Sequence, residues 1–204
     1  RAIFNKAIKD GIIEPELYPF KNYQIKSSKT DKRAISVTAF KKIEDLVFEP
    51  TDRLAQTHDY FLFCFYLRGL PYTDMAHLKL ENIVDGRIKF VRQKTDQSFN
   101  IKIIDKAQKI LDKYIHGKQK DDYIFPIINR TEPKEIYKDV EWSRNRYNKK
   151  LKEIAALCGI SENATSYIAR HSFATHAKNL HIPITTISEM LGHENIKTTQ
   201  IYLD

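Results

Sequence analysis

Four stretches of the chain carry polar residues that a helix or a hairpin does not need in order to fold. In YIARHSFATHA, 167–177, Arg170 and His171 interrupt an amphipathic pattern whose buried side is marked by Ile168, Ala174 and Ala177. Arg170 must then lie near the core boundary, where a guanidinium needs an anionic partner; an ion pair with one of the chain's carboxylates is the plainer alternative. In MLGHENIKTTQIYLD, 190–204, Gly192 lets the backbone turn sharply after a helix and leaves His193 at the start of the next segment, with Tyr202 nine residues on. One straight helix would hold those two side chains far apart, whereas a turn lets both approach one point. The loop RQKTDQS, 92–98, puts Lys94 at the tip of a hairpin, where lysine also serves as ordinary edge protection. Lastly, FYLRGLPYTDMAHL, 65–78, ends an apolar run on Arg68, with a glycine and a proline within three positions.

Cationic and hydrogen-bonding groups of this kind suit a polyanion, and the composition points the same way. The 204 residues carry a net charge of +8, with lysine and arginine spread along the whole chain instead of forming a tail. That favours nucleic acid over a membrane surface. The length and the 42% hydrophobic content are enough for one substantial core. Cys64 and Cys158 both fall in apolar helical patterns and read as small core residues of a reducing compartment. Neither a CxxC nor a Cys/His zinc spacing occurs, no apolar run reaches the roughly 20 residues of a membrane span, and the basic N-terminus has no signal-like apolar stretch. A cytoplasmic protein is the expectation, without membrane, metal or small-molecule cofactor.

The elements that must position these residues are mostly helical. Residues 1–13 read as one helix stopped at Gly11, and 14–31 as an interdomain linker with two prolines and no sustained period. Beyond it, Thr38 can cap a helix with Phe40, Ile43, Leu46 and Val47 on its core face, and Thr51 or Asp52 can cap the next. That second helix is apolar all round from Phe61 to Leu67 and should run through the middle of the domain. A short helix starts at Thr73. Residues 87–91 and 99–104 alternate and form the one strand pair; a helix capped by Asp105 follows. Helices over 134–158, 165–180, 183–191 and 195–203 complete a mainly α fold with a small antiparallel β-sheet.

Together the four stretches resemble the tyrosine recombinase (phage integrase) family. YIARHSFATHA is similar to its H-x-x-R-H box, LGHENIKTTQIYLD to the box that runs from histidine to the nucleophilic tyrosine, and KFVRQKT to its β-hairpin lysine element. The resemblance covers residues 32–204 as the catalytic domain and makes residues 1–13 the last helix of a truncated core-binding domain. It implies the family's DNA breaking-rejoining fold and metal-free cutting through a 3′-phosphotyrosyl bond. Tyr202 would be the nucleophile, Arg170 one of two arginines holding the phosphate, His193 a hydrogen-bond donor to it, and Lys94 the proton source for the leaving 5′-oxygen. It also implies double-stranded DNA attachment sites as partners and a homo-oligomer, a tetramer on DNA. Family members usually continue past the tyrosine into a helix that packs on a neighbouring protomer; here the sequence stops two residues after Tyr202.

Two positions depart from the family pattern. Tyr167 stands where the box usually begins with histidine, and a phenol with a pKa of about 10 is a poor proton acceptor at neutral pH. Aligning GLPYTDM with the family's G-L-R-x-x-E-L puts Pro71 where its first arginine belongs, with Asp74 and Met75 at the acidic and apolar positions. Some integrases of Bacteroidetes mobile elements, which the sequence resembles here, share that gap. Arg68, three residues earlier, would supply the guanidinium if both positions lay on one helix face; an ion pair with Asp74 is the alternative. Functions that compete with recombination are relaxation of the type IB topoisomerase kind and DNA binding by a domain whose catalysis has decayed, which Pro71 and Tyr167 would favour.

Overall fold

The computed structural model describes residues 1–23 and 34–203, without the side chain of Tyr202. The boundary expected near residue 30 lies outside these residues. The chain divides into two compact units, Arg1–Asp31 and Lys32–Asp204. In the first, α1 (Ala2–Lys9) ends before Gly11, whose φ of +70° gives the left-handed stop, and a 3₁₀ turn follows at Pro15–Leu17. It has no buried helix residues; edge-on contacts of Phe20 with Phe4, Tyr18 and Tyr23 gather its apolar side chains.

The second unit is built on α3 (Ala55–Tyr66), in which every side chain from Thr57 to Cys64 is buried. A helix apolar on all faces can only be satisfied at the centre, and α5 (Asp105–Ile115), α6 (Pro133–Leu157) and α7 (Ile168–Asn179) pack around it. The helix α2 (Val37–Glu44) lies alongside, with Phe40 stacked on Phe65. Its cap is Ser36 and not Thr38: the Ser36 hydroxyl accepts from the backbone N–H of Ala39 at 3.1 Å. Similarly, Asp52 acts one turn ahead of α3, accepting from the N–H of Leu54, and Ile104 stands at the cap position expected for Asp105.

Strands β2 (Arg87–Val91) and β3 (Ser98–Lys102) pair antiparallel, Ile88 opposite Ile101 and Phe90 opposite Phe99. A two-residue strand β1 (Ile83–Val84) adds to β2, so the sheet has three strands where the sequence pattern suggested two. Two residues are too short for an alternation to register. The same holds for 123–128, which lacks any period yet buries Ile124, Phe125, Ile127 and Ile128. Helix α4 (Tyr72–Ala76) follows Pro71, and α8 (Ile184–Leu191) and α9 (Ile196–Leu203) stack on α7 around a small separate cluster of Ala174, Ala177, Ile187 and Leu191. No helix among the described residues is long and apolar enough to cross a membrane.

Candidate active site

Arg170 lies on α7 with its side chain buried, 4% exposed. Its Nη1 donates to the Gly69 carbonyl at 3.1 Å, and its Nη2 donates to the Leu191 carbonyl and reaches His193 Nε2 at 3.1 Å. The guanidinium thus ties the α3–α4 turn to the end of α8. Gly69 makes this possible. Its φ is +70°, and a Cβ there would sit 2.7 Å from Arg170 Cα, so only glycine lets the turn's carbonyl come this close to α7.

His193 is set by the end of α8. Gly192 adopts φ 65° and ψ 49°, the N–H of His193 reaches Ser188 O and that of Gly192 reaches Glu189 O, both at 3.0 Å. This is a Schellman ending, and it throws His193 back toward Arg170. The ring's other nitrogen, Nδ1, is 2.9 Å from the hydroxyl of the fully buried Thr199 on α9. A guanidinium can only donate, so Nε2 accepts from Arg170 and Nδ1 carries the proton. Burial first, then the charges of Arg170 and Arg92, push the imidazole down to about 4, which keeps it neutral.

The hairpin comes to the same place. Phe99 and Gln97 press on Gly192, where a Cβ would meet Phe99 Cζ at 2.3 Å and Gln97 Oε1 at 2.4 Å. Arg92, just past β2, directs Nη1 at the carbonyls of Gly192 (3.2 Å) and Leu191 (3.4 Å). Its Nε stands 3.7 Å from Asp74 Oδ2, and the other oxygen of Asp74 accepts from the N–H of Gln93 at 3.0 Å. Asp74 is 4% exposed, and burial raises its pKa despite that N–H and the nearby arginines. The carboxylate is therefore held at a desolvation cost that its partners only partly offset. Nothing in the sequence boxes singled out Arg92. A signal was present: Ile88 and Phe90 face inward on a period of two, and Arg92 continues that face.

Of the residues expected from sequence, Arg170 and His193 are brought into contact. Lys94 stands exposed on the turn beside Gln93, with no hydrogen bond or ion pair among the described residues. Tyr167 stands at the N-terminal cap position of α7, without a side-chain hydrogen bond to the helix, and is 50% exposed. Tyr202 belongs to α9, and its side chain lies outside the described residues. Arg68 does not share a helix with Pro71. α3 ends at Tyr66, Arg68 and Gly69 both take left-handed φ (57° and 70°), and Pro71 is the cap of α4. The helical-spacing argument for Arg68 fails for that reason, although its half-buried side chain still lines one narrow cleft with Arg92, Asp74 and Arg170. Among the described residues no group of three or more His, Cys, Asp or Glu side chains could hold a metal ion.

The sequence profile of the phage integrase family matches residues 36–204. Among similar proteins, the tyrosine recombinase XerD of Listeria monocytogenes is 30% identical over 147 residues, 67% of this chain and 46% of that protein. XerD of Chlamydia trachomatis is 25% identical over 192 residues, 87% of this chain and 60% of that one. The chain spans about half the length of the curated relatives it matches. In fold it is similar to the Tn1549 transposon integrase in complex with a circular intermediate DNA, with a TM-score of 0.63 at 16% identity over 100% of this chain and 71% of that one. It is likewise similar to a lambda integrase dimer bound to a COC′ core site, with a TM-score of 0.62 at 17% identity over 100% of this chain and 69% of that one.

Proposed function

Because the chain belongs to the phage integrase family, we propose that it is the strand-cutting part of a site-specific DNA recombinase, working through a covalent 3′-phosphotyrosyl intermediate. Tyr202 attacks the scissile phosphorus, the bond from phosphorus to the 5′-oxygen breaks, and that oxygen leaves as a hydroxyl with a proton from Lys94 Nζ. The phenolic proton passes to water, since Tyr167, a phenol itself, is no base at neutral pH. Arg170 faces the non-bridging oxygens, where negative charge builds up in the transition state. His193 donates to one of them once phosphate gives its Nε2 a reason to bind a proton. Arg68 adds positive potential at the edge of the cleft. Rejoining reverses these steps on another strand.

The observation that carries this reading is the Arg170–His193 contact, made at the turn that leads into the tyrosine-bearing helix α9. Two solved neighbours are integrases bound to DNA, one as a dimer and one from a transposon. They support double-stranded attachment sites as partners, assembly of more than one protomer on DNA and a mobile-element origin; a tetramer at the full crossover is part of the proposal.

The test is incubation with a duplex that carries the junction sequence of its own genetic element and a 5′-bridging phosphorothiolate at the cut. A DNA-linked peptide containing Tyr202, lost in Tyr202→Phe, is the expected result. Covalent adducts that persist in Tyr202→Phe would refute the assignment of the nucleophile. DNA binding without any adduct would favour a domain whose catalysis has decayed, and relaxation of unrelated supercoiled plasmid would favour the topoisomerase reading.

A further inference from the structure

We propose that Arg92 is the second guanidinium on the scissile phosphate, supplying from the hairpin the contact that Pro71 cannot make. The inference rests on the strand-transfer reading above and names a residue for one of its roles. Three observations lead to it. First, Arg92 Nη1 and Arg170 Nη2 are directed at the same carbonyl, that of Leu191, so two permanent positive charges converge beside His193. Like charges brought together in a partly dry cleft repel unless an anion joins them. Asp74 is the one carboxylate lining that cleft among the described residues, and three guanidiniums, of Arg68, Arg92 and Arg170, line it too. A phosphodiester entering there would meet three guanidiniums and one carboxylate, a balance that favours its binding.

Second, Arg92 has donors left over. Its Nε is buried without a hydrogen-bond partner, 3.7 Å from Asp74, and its Nη2 has none among the described residues. A guanidinium held at one nitrogen by carbonyls, with donors left on its other edge, can turn that edge to phosphate oxygens when DNA enters the cleft. Third, the position of Arg92 is fixed. Its side chain is 12% exposed, and Nη1 is bonded to the backbone on both sides of the bend that carries His193. Arg68 lines the same cleft from a left-handed turn, and among the described residues its side chain makes no hydrogen bond or ion pair. Of the two arginines that could replace the one absent at Pro71, Arg92 is thus the one already oriented toward Arg170.

Charge-dependent kinetics separate a phosphate contact from a structural clasp. Single-turnover formation of the covalent complex is measured for wild type, Arg92→Ala, Arg92→Lys, Arg68→Ala and Arg170→Ala on two duplexes. One has a normal scissile phosphodiester, and in the other a methylphosphonate replaces a charged non-bridging oxygen by a neutral methyl group. On the phosphodiester, Arg92→Ala should slow the step by about 100- to 1,000-fold, as loss of one preorganised transition-state donor does. Arg92→Lys should fall between, because it keeps the charge and loses the fork. On the methylphosphonate most of the Arg92→Ala loss should disappear, as it should for Arg170→Ala.

An Arg92→Ala defect of equal size on both duplexes would overturn the proposal and leave Arg92 as a clasp that only positions the hairpin. A wild-type rate would overturn it as well, and a charge-dependent loss in Arg68→Ala alone would transfer the role to Arg68. Thermal melts of the variants guard against misfolding, and Arg92→Lys keeps the charge test readable if Arg92→Ala does not fold. Failure of the underlying reading looks different: wild type would form no covalent complex on either duplex, or Tyr202→Phe would still form one.

Discussion

Gly69 is the point where the fold most directly sets the chemistry, and replacing it by alanine tests that link. The substitution carries two costs. A non-glycine residue at φ +70° loses about 1–2 kcal/mol through the left-handed conformation itself. The new methyl would also stand 2.7 Å from Arg170 Cα and 3.1 Å from its Cβ and Cγ. The nearest of these atoms is helix backbone, which cannot swing aside, so the turn must move away from α7. Doing so stretches the 3.1 Å bond from Arg170 Nη1 to the Gly69 carbonyl, and a buried hydrogen bond from a charged donor is worth about 1.5–3 kcal/mol. The sum is a loss of about 2.5–5 kcal/mol, which for a domain of this size lowers Tm by roughly 5–20 °C. Gly117→Ala is the control. Its φ is +74° and nothing lies within 4 Å of the added methyl, so only the conformational cost of about 1–2 kcal/mol remains. Urea unfolding of the two variants should differ by about 2 kcal/mol, and Gly69→Ala alone should slow covalent-complex formation. Equal losses in the two variants would refute the close-approach argument.

Acidification should destabilise the free protein. His193 is held near 4 when folded, below the ordinary histidine value of about 6.5, so the unfolded chain binds more protons between these limits and stability falls as pH drops through that window. His58 and His176, lowered chiefly by burial, add to the slope in the same direction. His193→Gln should flatten part of it, and NMR titration of the imidazole should give a midpoint well below 6 that rises when DNA binds; a midpoint near 6.5 in the free protein would contradict the Arg170 contact. At Asp74, asparagine keeps an acceptor for the Gln93 N–H and removes a charge whose burial is costly, so Asp74→Asn should change stability by less than about 1 kcal/mol. Asp74→Ala leaves the Gln93 N–H without its acceptor and Arg92 without its nearby counter-charge, and should cost about 2–3 kcal/mol in urea titration, with faster amide exchange in the hairpin. DNA affinity should fall linearly on a log–log plot against salt, and removing one phosphate contact by Lys94→Ala should make that slope shallower by about one; an unchanged slope would take Lys94 off the backbone.

What the sequence disclosed depended on whether a periodicity or a backbone constraint lay behind it. The β2 bounds followed from alternation, and the end of α8 from Gly192, whose φ of 65° is the conformation glycine signals. The sequence comparison grouped Arg170 with His193, and the structure brings them within 3.1 Å. The apolar run gives no sign that the helix ends at Tyr66 and that Arg68 itself takes a left-handed φ, so the helical spacing of Arg68 and Pro71 does not hold. The segment 123–128 and the two-residue β1 gave no signal, because their burial comes from tertiary packing without a repeat. Arg92 was legible in the alternation after Ile88 and Phe90, yet a hydrophobic pattern that ends in a charge reads as the end of the strand.

The way Arg170 is held bears on the proposal that a buried arginine here serves a phosphate. From sequence, a guanidinium at the core boundary had two explanations, an ion pair with a carboxylate or an external anion. A carboxylate in contact would cancel most of the charge, and a phosphate would then have to displace it. The carbonyls of Gly69 and Leu191 and a neutral imidazole are among the partners of Arg170, and they orient the guanidinium through dipoles that carry no net charge. Asp74 stands off at 3.7 Å on the far edge of Arg92, and its other oxygen is taken by the hairpin backbone. The Leu191 carbonyl is available for this because the last turn of α8 leaves it without a partner inside the helix, and the Gly69 carbonyl because it lies in the turn beyond the end of α3. The left-handed turns at Gly69 and Gly192 aim those carbonyls at one place. On the proposed reading the two glycines would matter to strand cutting along with the arginines, since they let backbone dipoles help to fix the cations.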